Sequence, residues 1–220
     1  MRLGPHFALI LVAACAGSPE PAAVPLTGDG LHSGPWTDLF DGKGLGSLVP
    51  TSFGGEGEVR VEDGALILPF GSPLTGVTYT GAFPTRDYEI ECRAARLSGS
   101  DFFCALTFPV KDQHASLVLG GWGGTLTGLS CVDGADAANN TTCRFLHFET
   151  GRDYLLRIRV GSGRLRCFLD EELIVDLILA EHEFSLRPEV ELTRPLGLST
   201  YLTTGRVSVL RYRRLPRDPG

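Results

Sequence analysis

Residues 99–142, GSDFFCALTFPVKDQHASLVLGGWGGTLTGLSCVDGADAANNTT, carry the pattern that decides the fold. The stretch divides into three alternating runs, 101–108, 114–120 and 126–132, separated by turn residues. It ends in a loop too rich in Asp and Asn to be strand. In the first run a two-residue period places Phe102, Cys104, Leu106 and Phe108 on one face, expected to be core, and Phe103, Ala105 and Thr107 on the other. In the second run Leu117, Leu119 and Gly121 fall together, leaving His114, Ser116, Val118, Gly120 and Trp122 on the opposite face. One sheet face is therefore apolar and the other polar and aromatic.

Short runs of the same kind continue on both sides. Before the stretch they are 58–62, 65–70, 76–79 and 87–97, punctuated by Asp63-Gly64 and Gly71-Ser72-Pro73. After it come 144–148, 154–160, 164–169, 173–177, 189–192, 196–202 and 206–215, with a hairpin expected across Asp170-Glu171-Glu172. The run 87–97 alternates cleanly: Tyr88, Ile90, Cys92 and Ala94 face one way, and Glu89, Glu91 and Arg93 the other. No segment sustains a 3.6-residue period over three turns, and 176–182 offers one irregular turn at most. The chain therefore reads as all-β. Its strands outnumber those of an immunoglobulin domain and fit a two-sheet antiparallel β-sandwich of jelly-roll type, with one curved face open to solvent.

A chain of 220 residues, 43% hydrophobic and 21% charged, has the composition of a globular protein with a sizeable core. Its net charge of −6, with no basic stripe, excludes nucleic acid as a partner. The first residues, MRLGPHFALILVAACAGS, pair a basic residue with an apolar run too short to span a bilayer, the pattern of a secretion signal. Leu11-Val12-Ala13-Ala14-Cys15 has the form of a bacterial lipoprotein box, so residues 1–15 read as a signal peptide and Cys15 as the lipid-bearing residue; ordinary cleavage near Ala14 or Ala16 is the alternative. The expected location is outside the cytoplasm, held to the envelope membrane through that lipid or else secreted. Residues 16–33, made largely of Gly, Ser, Pro, Ala and Glu, suit a disordered tether, and residues 34–216 form the folded domain.

With Cys15 lipidated, five cysteines remain, an odd number in an oxidising compartment. Cys131 and Cys143 flank the polar loop and are candidates to bridge its ends. Cys92 and Cys104 fall on core-side positions as small buried hydrophobes, and whether Cys167 reaches Cys92 is open. None of these thiols sits beside a histidine in a helix-start context, so a catalytic cysteine is not indicated.

Several runs together resemble a known family. They are Leu39-Phe40-Asp41-Gly42-Lys43, Val61-Glu62-Asp63-Gly64-Ala65-Leu66, Asp87-Tyr88-Glu89, Gly99-Ser100-Asp101-Phe102-Phe103 and Leu106-Thr107-Phe108-Pro109-Val110. Gly120-Gly121-Trp122-Gly123-Gly124 and Gly128-Leu129-Ser130 add to them. The pattern looks like the 3-keto-disaccharide hydrolase domain and spans most of the folded region. The resemblance implies a concanavalin A-like lectin and glucanase sandwich and the cleavage of glycosides whose sugar carries a ketone at C3. Such a ketone acidifies the C2 proton; a base removes it, the enolate expels the glycosidic oxygen from C1, and water adds back. The site needs a base, an acid or metal for the enolate oxygen, and a surface that holds the sugar.

Candidates for those roles follow from residue type and spacing. Glu89 and Glu91 share a sheet face with carboxylates about 6 to 7 Å apart, as an acid pair or as a solvated outer face. Asp101 opens a strand, as a turn residue or a ligand contact, and His114 offers a neutral imidazole on the Trp122 face as base or metal ligand. Together Glu89, Glu91, Asp101 and His114 make the candidate catalytic set. Trp122, between glycine pairs that let a ligand approach its indole, is the main candidate sugar contact. Arg93, Ser116 and Asn140 join it, with Arg93 alternatively pairing Glu91. Asp133 and Asp136 in the polar loop supply oxygens of the kind calcium prefers, although the spacing is not that of an EF-hand and turns favour the same residues. Carbohydrate is the expected partner, as substrate or as the ligand of a non-catalytic lectin-like module; a structural envelope role is the third reading.

Overall fold

The computed structural model describes residues 33–216. The signal segment, Cys15 and nearly all of the tether lie outside the described residues. In chain order the strands are β1 (Thr37–Asp38), β2 (Leu48–Pro50), β3 (Arg60–Glu62), β4 (Ala65–Leu68), β5 (Leu74–Tyr79), β6 (Tyr88–Gly99), β7 (Cys104–Val110), β8 (Gln113–Gly121), β9 (Leu126–Ser130) and β10 (Arg144–Phe145). They continue with β11 (Tyr154–Gly161), β12 (Arg164–Leu169), β13 (Glu172–Ile178), β14 (Gly197–Tyr201) and β15 (Thr203–Arg214). One sheet runs β13-β12-β11-β6-β15-β4-β3, with β1 also pairing β15; the other runs β10-β9-β8-β7-β14-β5-β2. All pairings are antiparallel. We call these the arginine sheet and the pocket sheet, after the residues on their outer faces. Among the described residues no helix is long and apolar enough to cross a membrane.

The core lies between the two inner faces. Tyr88, Ile90, Cys92 and Ala94 of β6 meet Cys104, Leu106 and Phe108 of β7 and Leu117 and Leu119 of β8, all essentially inaccessible. This is the alternation read from the sequence, and it works because one face of each sheet must leave water. The Cys92 and Cys104 thiols are hydrogen-bonded to each other across the core; that contact and burial push the Cys92 thiol well above its usual range. Burial does the same to Cys167.

Two expectations are corrected. Phe103, not Phe102, enters the core, where its ring packs 5.0 Å from Phe148 and 6.0 Å from Tyr154. Strand β7 begins only at Cys104, so the irregular backbone before it interrupts the two-residue period and sends Phe102 to the outside. Residues 189–192 form no strand; Pro188–Thr193 is a 3-10 helix. Pro188 suits a first helical turn, having its φ already fixed and no N–H to satisfy, and Glu189 and Glu191 favour the positive end of the helix dipole.

A further polar contact crosses the core. The wholly buried Tyr88 hydroxyl of β6 donates to the Pro109 carbonyl of β7, joining the two sheets. Replacing Tyr88 by Phe leaves that carbonyl without its partner, at an expected cost of about 1–3 kcal/mol. Urea titration should show a lower midpoint with an unchanged slope; an unchanged midpoint would assign the contact no stabilising role.

Candidate functional site

On the outer face of the pocket sheet the floor residues alternate with the core. Register pairs Thr107 with Ser116 and Ala105 with Val118 across β7 and β8, and Ser116 with Ser130 across β8 and β9. The connection between β13 and β14 crosses this face and roofs part of it. It is anchored at one end by Cys131, whose N–H donates to the Ser185 carbonyl at 2.6 Å, and by the Asp133 carboxylate, which accepts from the Glu183 N–H at 2.9 Å. At the other end the buried Thr193 and Thr107 hydroxyls lie 2.7 Å apart, and Thr78 donates to the Leu192 carbonyl at 3.0 Å. Between floor and roof lies a pocket of about 250 Å³.

Its walls bring together side chains from distant parts of the chain. Phe102 and Tyr201 stack with centroids 5.6 Å apart on one side. Trp122, 44% exposed, stands on another, with the Arg187 guanidinium 5.9 Å from its ring. Arg187 donates to both Glu189 oxygens, at 2.8 and 3.3 Å, and to Asp136 at 3.1 Å. The guanidinium holds the Glu189 carboxyl below its usual range. Asp101 completes the wall: its carboxylate accepts from the Phe102 N–H at 2.8 Å and from the Gly123 N–H at 3.0 Å, tying it to the Trp122 turn.

That turn is held from behind by Arg96 of β6. The residue is buried, with its guanidinium 5.4 Å from the Phe103 ring. One of its nitrogens donates to the carbonyls of Gly124, Asp101 and Gly120 at 2.8, 3.2 and 3.3 Å. Burial pulls the Arg96 pKa down from its ordinary value, an effect that nearby Asp101 opposes. Gly120 has φ +73°, and a Cβ there would lie 2.4 Å from the guanidinium, so only glycine fits.

Of the residues singled out from sequence, Asp101, Ser116 and Trp122 meet in this pocket. His114 is on the same sheet face, opposite Pro109, but outside the lining. Burial and the neighbouring Arg194 charge lower its pKa, so the ring is neutral near pH 7. Glu89, Glu91 and Arg93 are on the arginine sheet, on the far side of the sandwich from the pocket. Glu89 is fully buried between Arg159 at 3.1 Å and Arg213 at 2.7 Å, and Glu91 pairs with Arg211 at 2.6 Å. The two acids are neither solvated nor near Asp101, because each faces arginines on both neighbouring strands.

The polar loop also differs from expectation. Cys131 and Cys143 are both free thiols, and the loop is closed instead by Asn140. Its amide nitrogen donates to the Leu129, Asp136 and Ala135 carbonyls at 2.8, 2.8 and 3.1 Å, and its oxygen accepts from Thr142 N–H and hydroxyl at 2.9 and 2.6 Å. Asn140 is thus saturated by its own loop and faces no ligand. Asp133 is occupied by His182 at 2.7 Å and the Glu183 N–H, and Asp136 by Arg187, Asn139 and the Ala138 N–H. Among the described residues no three His, Cys, Asp or Glu side chains gather as a metal group. Sequence reasoning missed Phe102, Tyr201, Arg187, Glu189 and Arg96. The adjacent Phe102-Phe103 pair held a usable signal, since neighbours in extended chain point opposite ways and one ring had to face outward.

No family model matches the chain, and no curated protein matches it. Solved structures do share its architecture. The Crh5 transglycosylase superposes with a TM-score of 0.56 at 11% identity, covering 86% of this chain and 87% of that one. SCLam, a non-specific endo-β-1,3(4)-glucanase of family GH16, gives 0.54 at 12% identity over 90% and 95%. The VIP36 exoplasmic/lumenal domain, in its Ca2+/Man3GlcNAc-bound form, gives 0.56 at 12% identity over 83% and 90%. The chain has the jelly-roll sandwich fold. At these identities the likeness concerns the fold alone.

The position of Glu89 generates a prediction. Glu89→Ala strands two arginines against a buried site and should lower stability by about 3 kcal/mol in denaturant titration. Ligand binding in the pocket across the sandwich should be retained under conditions where the variant is folded. Loss of binding with unchanged stability would instead put Glu89 in the functional site.

Proposed function

We propose that this protein recognises carbohydrate in the pocket on the outer face of the pocket sheet. The observation that carries the reading is the half-exposed indole of Trp122, set between glycines opposite the Phe102–Tyr201 stack. An aromatic face takes the C–H surface of a sugar ring, while the Asp101 carboxylate beside it accepts from ring hydroxyls. The sandwich neighbours support the reading through what they act on or bind: a β-1,3(4)-glucan for SCLam and Man3GlcNAc for the VIP36 domain.

A second reading, elimination on a 3-keto-glycoside, is favoured by one feature of the lining. Asp101 is a carboxylate base and Arg187 a fixed cation in the same pocket, the pair needed to take the C2 proton and stabilise an enolate oxygen. His114, two residues from Ser116 on β8, is outside the lining and makes no direct contact in this reading. Titration calorimetry with neutral oligosaccharides should show binding that Trp122→Ala weakens about tenfold or more, corresponding to loss of one stacking contact. No binding by the folded protein across such a panel would remove the carbohydrate reading. Release of free 3-keto-glucose from 3-keto-trehalose, abolished in Asp101→Asn, would establish the enzyme; binding without release would make the protein a lectin-like module.

The leader read from the sequence supports export and a lipid anchor on Cys15. Expressed in a bacterial host, the full chain should partition with the membrane fraction and Cys15→Ser should not; equal partitioning would remove the anchor.

A further inference from the structure

The pocket's depth and its rim differ in chemistry. The rim carries the aromatic rings, Asp101 and the Arg187–Glu189 pair. Deeper in, Ala105 and Val118 from the sheet meet Val190 from the roof and Leu74 from β5, all buried and apolar. Among them sits Ser116, 1% exposed, whose hydroxyl has no hydrogen-bond partner in the protein. Of the other buried hydroxyls on this face, Thr107 is engaged with Thr193 and Ser130 lies 3.7 Å from the Cys131 sulfur, while Ser199, which is not part of the pocket lining, is likewise without a partner in the protein. An orphaned hydroxyl in an apolar recess is costly to keep unless something else pairs with it.

We propose, building on the carbohydrate reading, that the pocket takes an N-acetylated hexosamine, with the acetamido group inserted into this recess. The acetyl methyl would rest on Ala105, Val118 and Val190, and the acetyl carbonyl would accept from the Ser116 hydroxyl. The pyranose ring would stay at the rim, against Trp122.

Other sugar classes meet the same walls less well. A plain hexose held at the rim extends only a single hydroxyl toward the recess, shorter than an acetamido group, and leaves both Ser116 and the apolar walls without a partner. A 6-deoxy sugar supplies a methyl and leaves Ser116 unpaired. A uronic acid brings a carboxylate toward Asp101 and Glu189, while Arg187 is already held by Glu189 and Asp136. Among these sugar classes the acetamido group alone carries a methyl and an acceptor within one short, planar unit.

The test compares N-acetylglucosamine and N-acetylgalactosamine, with their short oligomers, against glucose, galactose and the matching oligomers, by calorimetry on the unmodified protein. The N-acetyl sugars should bind at least about tenfold more tightly than their parent hexoses, the size of one hydrogen bond and a buried methyl. Ser116→Ala should reduce that preference about tenfold, weakening the N-acetyl sugars more than the hexoses. Ala105→Leu, which fills the recess, should abolish the preference, with circular dichroism confirming the fold. Equal binding of both sugar classes overturns this inference and leaves the carbohydrate reading standing. An N-acetyl preference that neither variant alters also overturns it, since the acetamido group would then bind elsewhere. Binding of no sugar at all overturns the carbohydrate reading itself.

Discussion

The pocket depends on a buried cation, Arg96, held by backbone carbonyls. Arg96 belongs to the arginine sheet, yet its guanidinium reaches the carbonyls of Asp101, Gly120 and Gly124 at the end of the pocket sheet. A guanidinium removed from water must recover its hydrogen bonds from whatever surrounds it, and backbone carbonyls at fixed distances do that only if the backbone holds one shape. The charge therefore fixes the turn that carries Trp122, and with it the wall of the pocket. The glycines around the tryptophan follow from the same constraint: they leave room for the guanidinium and permit the positive φ angles of the turn.

Much of this architecture was legible in the chain because burial imposes a period. Alternation in β6, β7 and β8 identified the inner faces, and the opposite parity of β8 put Ser116 and Trp122 on one outer surface. What stayed hidden was of two kinds. Where the backbone leaves the regular strand, as it does just before Cys104, parity stops carrying information and Phe102 and Phe103 exchange places. Where a site is completed by a segment far away in sequence, as Arg187, Glu189 and Tyr201 complete this one, no local pattern marks the partners. Glu89 and Glu91 show a third limit: spacing placed them on one face but could not say that the adjoining strands supply Arg159, Arg211 and Arg213 to pair with them.

The two outer faces of the sandwich thus have different physics. On the arginine sheet, rows of alternating charge run across β11, β6 and β15, with Arg159, Glu89 and Arg213 in register and Arg157, Glu91 and Arg211 two residues further along the strands. Trp36 caps the last of these, with the Arg211 and Arg213 guanidinium carbons 4.7 and 4.5 Å from its ring centroid. The acids of this face are satisfied from within the sheet: Glu89, Glu91 and Asp176 each pair with arginines of neighbouring strands. The pocket sheet is the reverse, with small side chains, hydroxyls and exposed rings under a partial roof.

That roof has a consequence for how such a pocket diverges. It is one continuous stretch of chain, pinned at its two ends by Cys131–Asp133 and by Thr107 and contributing Arg187, Glu189 and Val190 in between. The residues between the pins belong to no sheet and bear none of the inter-strand hydrogen bonding. Descendants of this chain can therefore exchange what they bind through changes in the few consecutive residues between the pins, while the sandwich beneath is inherited intact.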